Sequence, residues 1–330
     1  MSTTTTPTIA LLFPGQGSQT VAMGHALSES YPAARAVFEE ADDALGFALS
    51  DIIFNGPEDT LKLTEHTQPA ILTVSIAALR VLQPELQSRN LSIAFAAGHS
   101  LGEYSAHVAA GTLSFADAVR TVRLRGQFMQ SAVPAGQGAM AAILGLPAAT
   151  ILDICTQVSA DSTAETVSPA NLNSPDQTVI SGSQAAVERA AELCKDAGAK
   201  RAVMLAVSAP FHCSLMQPAQ DQLATQLASI AFHDPAFPVA SNVDARLLTR
   251  APDVRDALIR QVTGAVRWVE CIHLLQQSGV TNYIEVGPGK VLTGLNRQIF
   301  RQELQTGARA LSTTNVEDPA SLEKALVAFA

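Results

Sequence analysis

Short apolar runs alternate with longer stretches of helical periodicity in the first third of the chain. The runs Ile9–Phe13 and Ile93–Ala97 predict strands, because each is short, apolar and followed by a glycine-containing turn. Apolar residues recur at helical spacing from Gln68 to Leu82, and helical patterning also runs from Gly24 to about Leu49. Strands and helices that alternate in this way predict an α/β fold with a parallel sheet.

The pattern changes in the middle of the chain. There it predicts the order strand, helix, strand, strand, helix, strand, in Ala139–Leu144, Ala148–Val158, Val167–Asn171, Thr178–Ser181, Ala185–Ala197 and Arg201–Val207. This split βαβ repeat is the ferredoxin-like arrangement. We therefore predict a small α+β subdomain at residues 137–207, inserted into a large α/β subdomain made of residues 1–136 and 208–330.

The segments on either side of this insertion return to alternating helices and strands. Helices are predicted at Leu101–Ala110, Phe115–Ser131, Pro252–Val262, Glu270–Ser278 and after Gly289, and strands at Val239–Asn242 and Asn282–Val286. A cleft between two such units is the usual place for a small-molecule site. We therefore expect the ligand to bind between the subdomains.

Composition and charge narrow the classes of partner. Of the 330 residues, 47% are hydrophobic and 15% charged, which is typical of a compact folded chain. The net charge of −9 argues against nucleic-acid binding, and any anionic substrate needs a local arginine or lysine. The polar start Met1–Pro7 lacks the features of a secretory signal, and no apolar stretch reaches the ~20 residues of a membrane span. We predict a cytoplasmic protein without a membrane partner.

Nothing in the cysteine or glycine pattern indicates a cofactor or a metal. The four cysteines are widely spaced, without a Cys-x-x-Cys pair, and are interpreted as reduced thiols. The glycine-rich turn Pro14–Gln19 follows a predicted strand, but it matches neither the dinucleotide fingerprint nor the phosphate loop. We predict neither a metal nor a bound cofactor.

The pentapeptide Gly98-His99-Ser100-Leu101-Gly102 carries the main chemical signal. It lies between a predicted strand and a predicted helix, which is the context of a nucleophile elbow, where a serine hydroxyl stands exposed at a helix N-terminus. Free backbone N–H groups there can receive a developing oxyanion. The same pattern also occurs in ordinary strand-to-helix turns, so the motif alone leaves both interpretations open.

A serine nucleophile needs a base, and histidine is the usual one. His212 lies where the chain leaves the small subdomain, after the turn at Pro210, and is expected to face the cleft. His99 is expected to pack beneath the serine turn. The other histidines are expected to be solvent-facing or hydrogen-bonded, namely His25, His66, His107, His233 and His273. No aspartate between Ser100 and His212 stands out as a triad acid, so a serine–histidine dyad is expected.

Six segments, in order, resemble those of the malonyl-CoA:acyl-carrier-protein transacylases. They are Phe13–Gln19, Gly98–Tyr104, Arg125–Met129, Pro169–Pro175, Pro210–Cys213 and Glu285–Lys290. The resemblance extends from Phe13 to about Ile299. It implies an α/β-hydrolase-like core with an inserted ferredoxin-like subdomain, and an enzyme that transfers malonyl from malonyl-CoA to the phosphopantetheine thiol of acyl carrier protein.

The resemblance also implies roles for single residues. Ser100 would be the nucleophile and His212 its general base, with the backbone carbonyl of Gln261 orienting the histidine. The remaining implied roles are backbone N–H donors of the oxyanion hole at Gln16 and Leu101, and substrate contacts at Arg125, Phe211 and Asn171. Arg125 would bind the free carboxylate of malonate, since arginine matches a carboxylate with two hydrogen bonds.

Some alternatives remain open on the sequence alone. The bulk of Leu101 and Phe211 resembles the malonyl-selective pattern and would disfavour a methylmalonyl group, although one methyl is worth only ~1–3 kcal/mol. The segment Gly264–Trp268 lacks the proline that the family usually carries before the valine. A serine thioesterase or esterase is the alternative activity. A third interpretation, a non-catalytic carrier-binding module, would require Ser100 or His212 to be missing, and both are present. Fatty-acid and polyketide biosynthesis are equally compatible with this chemistry.

Overall fold

The fold was analysed in a computed structural model that describes residues 8–134, 136–161, 165–207, 209–307 and 311–327. The strands in these ranges are β1 Ile9–Phe13, β2 Ile93–Gly98, β3 Gly138–Leu144, β4 Val167–Ser174, β5 Gln177–Ser183, β6 Arg201–Met204, β7 Val239–Ala240, β8 Leu247–Leu248, β9 Asn282–Val286 and β10 Ser312–Val316.

The helices pack around these strands. They are α1 His25–Ser30, α2 Pro32–Leu45, α3 Leu49–Asn55, α4 Glu58–Lys62, α5 Thr64–Ser88, α6 Gly102–Ala109, α7 Phe115–Ser131, α8 Ala148–Ala160, α9 Gln184–Asp196, α10 Gln217–Ala228, α11 Ala251–Arg260, α12 Trp268–Gln277, α13 Val291–Ile299, α14 Arg301–Thr306 and α15 Pro319–Val327. The bounds of β1, β9 and α7 coincide with those predicted from the sequence.

The larger sheet has the strand order β10-β9-β1-β2-β7-β8, and all its pairs are parallel except β7 with β8. β1 lies inside this sheet and is buried over its whole length. Its alternate side chains enter two separate cores, with Leu11 on one face and Leu12 on the other. A parallel strand covered on both faces is apolar throughout, which explains the continuous run Ile9–Phe13.

The smaller sheet is antiparallel, with the order β4-β5-β3-β6. Helices α8 and α9 cover one face around a separate core that includes Ile143 and Ile180. This is the ferredoxin-like arrangement, so the predicted α/β fold with an inserted α+β unit is confirmed. The exact boundaries of the subdomains stay a prediction. Ser208, at one boundary, and the segment Met1–Pro7 lie outside the described residues.

Two predicted strands are shorter than expected. The strand predicted to reach Val207 ends at Met204, and the strand predicted to reach Asn242 ends at Ala240. After β6 the chain enters the region where Val207 lines the main cavity. After β7 it turns into β8, and Ser241 N donates to Arg246 O at 2.9 Å within this turn. The polar strand β10 was not predicted, because Ser312–Val316 has no apolar run.

The two units are joined by more than the chain connections. Leu172 N donates to Val266 O at 2.9 Å, and Val266 N donates to Ala170 O at 2.8 Å, so β4 pairs with the segment before α12. This segment begins just after Gln261. The small sheet therefore directly supports the part of the large unit that contacts His212.

One described helix, α5, is long and apolar enough to cross a membrane by length and composition alone. This qualifies the expectation that no stretch of the chain has the required length. However, 78% of its most apolar window is buried inside the protein, where it packs against α7 and α2. The helix therefore has the environment of a core helix.

Candidate active site

The turn between β2 and α6 brings three chain segments into close contact. Ser100 has φ +50°, in the left-handed region that residues with a Cβ rarely adopt. A Cβ on Gly98 would lie 1.9 Å from the carbonyl carbon of Gly102, and a Cβ on Gly102 would lie 2.0 Å from Phe13 O. Both positions therefore require glycine. The backbone has the shape of a nucleophile elbow, with Ser100 at its apex.

Ser100 and His212 form a hydrogen-bonded pair. Ser100 Oγ lies 2.7 Å from His212 Nε2. On the other side of the ring, His212 Nδ1 lies 2.9 Å from Gln261 O and 3.0 Å from Gly264 O. Both carbonyls can only accept, which places the ring proton on Nδ1 and leaves Nε2 free to take the proton of Ser100. Two backbone carbonyls thus occupy the place of a triad acid.

Burial and a neighbouring cation keep this histidine neutral. His212 is only 3% exposed, and burial, together with the Arg125 cation, lowers its pKa to about 3. An imidazole that is unprotonated at neutral pH can act as a base without first losing a proton. The ring is therefore ready to accept the proton of Ser100.

The candidate oxyanion donors lie beside the serine. Leu101 is the N-cap of α6, and Gln16 follows Gly15, whose missing Cβ lets His99 O approach; a Cβ there would lie 2.4 Å from that oxygen. Neither Gln16 N nor Leu101 N donates to another atom of the described residues. The structure thus leaves both N–H groups free near Ser100, as a site that receives an oxyanion requires.

Arg125 lies next to the serine in a buried position. It is 2% exposed, and its Nη2 lies 3.3 Å from Ser100 Oγ. Neutral amides hold the guanidinium: Nη1 donates to Gln68 Oε1 at 2.7 Å and Nη2 donates to Gln261 Oε1 at 3.0 Å. Within the described ranges no carboxylate is in salt-bridge contact with it. A buried cation without a contacting anion is costly, which indicates a site for an anionic ligand.

These groups open into a cavity of about 770 Å³ between the two units. Its lining includes Gln16, His99, Ser100, Met129, Arg125, Asn171, Phe211 and His212. Phe211 and Asn171 therefore lie where a substrate could contact them. Leu101 is 1% exposed and is not among the lining residues, so its proposed steric effect on a methyl branch stays a prediction.

Comparison with known proteins identifies the family. The family model for the acyl transferase domain matches residues 10–324 of the chain. The malonyl CoA-acyl carrier protein transacylase of Escherichia coli K12 is 48% identical over 317 residues, which cover 96% of this chain and 98% of that protein. The Bacillus subtilis 168 protein of the same name is also 48% identical and covers 96% of each chain. The chain belongs to the malonyl-CoA:acyl-carrier-protein transacylase family.

Solved structures of this family agree with the fold. An acyl carrier protein S-malonyltransferase from Vibrio cholerae superposes with a TM-score of 0.89, at 48% identity and 96% coverage of this chain and 99% of the other. A malonyl-transacylase in complex with its type II PKS acyl-carrier protein superposes with a TM-score of 0.90, at 46% identity and 97% and 99% coverage. The chain is thus an acyltransferase with the two-unit architecture of the transacylase family.

The structure adds three site residues that sequence reasoning missed. Asn242 bridges the elbow, since its Oδ1 accepts from Ser100 N and its Nδ2 donates to Gly98 O, both at 2.7 Å. Gln68 holds Arg125, and Glu103 accepts a hydrogen bond from the side chain of Gln261. Asn242 had a signal in its position, because it ends a predicted strand, and the carboxyl ends of parallel strands meet at one edge of the sheet.

The other histidines differ from one another. His99 Nε2 lies 2.8 Å from Asn173 Oδ1, its ring packs against Trp268, and it also lines the cavity. His107 was expected to be solvent-facing or hydrogen-bonded, and this is wrong. It is fully buried, neither ring nitrogen has a hydrogen-bond partner among the described residues, and burial lowers its pKa to about 3. Packing on α6 overrides the usual preference of histidine for a polar partner.

Among the described residues, no group of three or more His, Cys, Asp or Glu side chains is placed to hold a metal ion. The four cysteines are free and buried, and burial raises the pKa of Cys155 to about 12 and that of Cys194 to about 11. Thiols of this kind are unreactive at neutral pH. Ser100, His212 and Arg125 are the candidate residues for the chemistry of the site, since they meet at one place in the cavity.

Proposed function

We propose that this chain transfers the malonyl group of malonyl-CoA to the phosphopantetheine thiol of an acyl carrier protein, through a malonyl ester of Ser100. The observation that carries the proposal is the position of the buried Arg125 guanidinium, whose Nη2 lies 3.3 Å from the Oγ atom of Ser100 that pairs with His212. No carboxylate of the described residues forms a salt bridge with this guanidinium. One methylene separates the thioester from the carboxylate in malonate. A substrate held by both groups must therefore carry its negative charge close to the carbonyl under attack.

In the first half-reaction, Ser100 Oγ attacks the thioester carbonyl carbon while His212 Nε2 takes the serine proton. The carbonyl oxygen becomes an oxyanion that the N–H groups of Gln16 and Leu101 stabilise, each contributing about 3–4 kcal/mol in comparable sites. The carbon–sulfur bond then breaks, and the thiolate of coenzyme A takes the proton from His212. Malonyl-Ser100 remains, with its carboxylate on Arg125.

The second half-reaction reverses these steps with a new thiol. The phosphopantetheine thiol gives its proton to His212 Nε2, and its sulfur attacks the ester carbonyl of malonyl-Ser100. The ester bond breaks, and Ser100 Oγ recovers its proton from His212. One thioester, malonyl-CoA, is exchanged for another, the malonyl-carrier, so the overall equilibrium constant is near one. The site therefore changes the rates of malonyl transfer and leaves its equilibrium unchanged.

Substrate choice follows from charge more than from size. Arg125 selects an acyl group with a free carboxylate, because an uncharged acyl group leaves the buried cation without an anion. Phe211 lines the cavity directly before His212 and reduces the space for a branch on the α-carbon. We propose that malonyl is preferred to acetyl strongly and to methylmalonyl by a smaller factor.

The activity is tested by intact-mass analysis after incubation with malonyl-CoA, followed by addition of a holo acyl carrier protein. We expect a malonyl adduct on the parent enzyme that disappears as the carrier becomes malonylated. If the adduct instead decays with release of free malonate at the same rate, and no malonylated carrier forms, the result would support the thioesterase alternative. Purified carriers from a fatty-acid and a polyketide system, compared in the same assay, identify the pathway.

Arg125→Ala tests the carboxylate site. We expect kcat/KM for malonyl-CoA to fall by on the order of a hundredfold or more, because a buried charge pair is lost. The matched control is Arg120→Ala on the same helix, since Arg120 is half exposed and pairs with Asp117. Malonyl transfer by Arg125→Ala at the parent rate would rule out this role for the arginine.

A further inference from the structure

Glu103 is a buried carboxylate in the first turn of α6 to which the acyl transfer steps assign no role. It is fully buried three residues after Ser100. Its Oε2 accepts from Gln261 Nε2 at 2.6 Å and from Asn242 N at 3.2 Å. Its Oε1 has no hydrogen-bond partner among the described residues. A buried carboxylate that is only half satisfied is expensive to keep without a specific reason.

A single amide connects this carboxylate to the cation of the substrate site. Gln261 Oε1 accepts from Arg125 Nη2 at 3.0 Å, while Gln261 Nε2 donates to Glu103 and also to Ser100 O at 2.9 Å. The oxygen end of the amide thus faces the cation and the nitrogen end faces the carboxylate. This orientation is the favourable one for an amide dipole between opposite charges.

The groups that face Glu103 leave its charge finely balanced. Burial raises the pKa of Glu103 to about 7. The hydrogen bonds from Gln261 and Asn242 and the Arg125 cation on α7 act in the opposite direction and lower this pKa. Asp244 raises it further but is itself paired with Arg260. The remaining ionisable neighbours are neutral at pH 7, since burial raises the pKa values of Tyr104 on α6 and Cys271 on α12. Among these groups, Arg125 is the cation that favours the ionised form of Glu103, in addition to the hydrogen bonds from Gln261 and Asn242.

We propose that Glu103 is the counter-charge of Arg125 in the empty site and takes up a proton from solvent when a malonyl carboxylate occupies Arg125. The argument rests on the proposed function, since it needs a carboxylate at that arginine. With the substrate bound, two carboxylates share one buried cation, and the new anion both competes for Arg125 and repels Glu103. The buried site keeps its total charge when Glu103 becomes neutral.

Glu103 is thus a positioning residue that acts through Gln261 and Arg125. The proton it gains is separate from the one that moves in acyl transfer, which passes from Ser100 through His212 to the thiol of coenzyme A. An acyl group without a carboxylate triggers no uptake. Malonyl affinity is expected to weaken as the pH rises above 7, because protonation of Glu103 then becomes harder.

The experiment measures protons and acylation in the same sample. Stoichiometric parent enzyme is mixed with malonyl-CoA at pH 7.5 in weak buffer, an indicator dye reports proton uptake, and intact mass reports malonyl-Ser100. Glu103→Gln is run in parallel, so that ionisation of the released thiol and of other groups cancels in the difference. We expect the parent to take up roughly half a proton to one proton more per malonyl-Ser100 than Glu103→Gln.

The outcomes separate this inference from the proposed function. If malonyl-Ser100 forms in both proteins with equal proton uptake, the role of Glu103 is wrong and the transferase activity stands. If no malonyl-Ser100 forms in the parent, the proposed function itself fails. Should Glu103→Gln not fold, infrared difference spectra of the parent with 13C-labelled glutamate decide: a protonated glutamate band on malonylation supports the inference, and its absence overturns it.

Discussion

Two strand–turn–helix units of the larger sheet have the same construction but different chemistry. After β2 the chain turns through Gly98–Gly102 into α6, and after β9 it turns through Gly287–Lys290 into α13. At α13, Glu285 accepts from Leu292 N at 3.0 Å and from Thr293 N at 2.7 Å, so its carboxylate occupies the helix N-terminus. At α6, Ser100 precedes Leu101, whose N–H group donates to no atom in the described part of the chain.

The difference shows when a helix N-terminus becomes a reactive site. Both helices bring first-turn N–H groups and a positive dipole end to the edge of the same sheet. In α13, a carboxylate from β9 accepts from two of these groups. In α6, the N–H groups of Gly102, Glu103 and Tyr104 donate to carbonyls of the turn itself, and Leu101 N donates to no atom of the described residues. Glu103 lies in the first turn of α6, but its carboxylate contacts Gln261 and Asn242 instead. The α6 terminus therefore remains available to an oxyanion, whereas the α13 terminus is closed.

The largest expected effect comes from removing the hydroxyl group of Ser100, at the N-terminus of α6. Ser100→Ala should abolish the malonyl adduct and lower kcat by on the order of 10⁴-fold or more, because no covalent intermediate can form. Malonyl-carrier formation and intact mass measure this. Ser131→Ala, at the exposed end of α7, should behave as the parent does. A malonyl adduct that persists in Ser100→Ala would place the nucleophile elsewhere.

A smaller effect is expected when the turn around Ser100 loses its hydrogen bonds to the Asn242 side chain. Asn242→Ala leaves Ser100 N and Gly98 O without their partner, which costs about 1–3 kcal/mol. We expect kcat to fall by roughly tenfold to hundredfold, with a smaller change in KM, measured by steady-state kinetics. Asn315→Ala on β10 is the control, since Asn315 contacts Glu317 away from the site. An unchanged kcat would show that the elbow holds its shape without Asn242.

Glu103, the buried carboxylate on α6, should affect how the free energy of unfolding depends on pH. The folded pKa of Glu103, about 7, is above the ordinary value of 4.5, so the folded state binds this proton more tightly than the unfolded state. The contribution is complete below pH 4.5 and is lost as the pH rises through 7. Glu103→Gln should remove a decline on the order of 1–3 kcal/mol between pH 5 and 8, measured by urea unfolding.

The control is Glu188→Gln on the exposed face of α9, which should keep the parental slope. Glu285 contributes a decline of the same sign in all three proteins, because burial also raises its pKa to about 7. Identical slopes in the parent and Glu103→Gln would mean that Glu103 titrates as an ordinary exposed carboxyl.

The smallest effect on activity is expected at the N-terminus of α13, where Glu285 accepts hydrogen bonds from the backbone. Glu285→Ala uncovers the N–H groups of Leu292 and Thr293, which should cost about 0.5–2 kcal/mol of unfolding free energy, as for other lost helix caps. The kcat of malonyl transfer should stay within about twofold of the parent, since none of the described residues of α13 lines the cavity at Ser100. Urea unfolding and kinetics on the same preparation measure both. A large loss of kcat without a loss of stability would contradict the comparison.

The amino-acid sequence alone determined the elements that depend on interactions between residues close together in the chain. The bounds of β1, β9 and α7 were predictable because strand burial and helical periodicity repeat within a few residues. The turn around Ser100 was predictable for the same reason, since two glycines and a serine define it. The polar strand β10 was not, because its place at the edge of the sheet depends on pairing with β9 and not on its own residues.

Only the tertiary structure decided which side chains meet at the site. Gln68 lies 57 positions from Arg125, Asn242 lies 142 from Ser100, and Glu103 lies 158 from Gln261, so no spacing in the sequence links them. The resemblance to a family indicated Gln261 for its backbone carbonyl, but not the side-chain amide that joins Arg125 to Glu103. Hydrogen bonds and charges act over a few ångströms in space, and the parallel sheet with its inserted unit sets those distances.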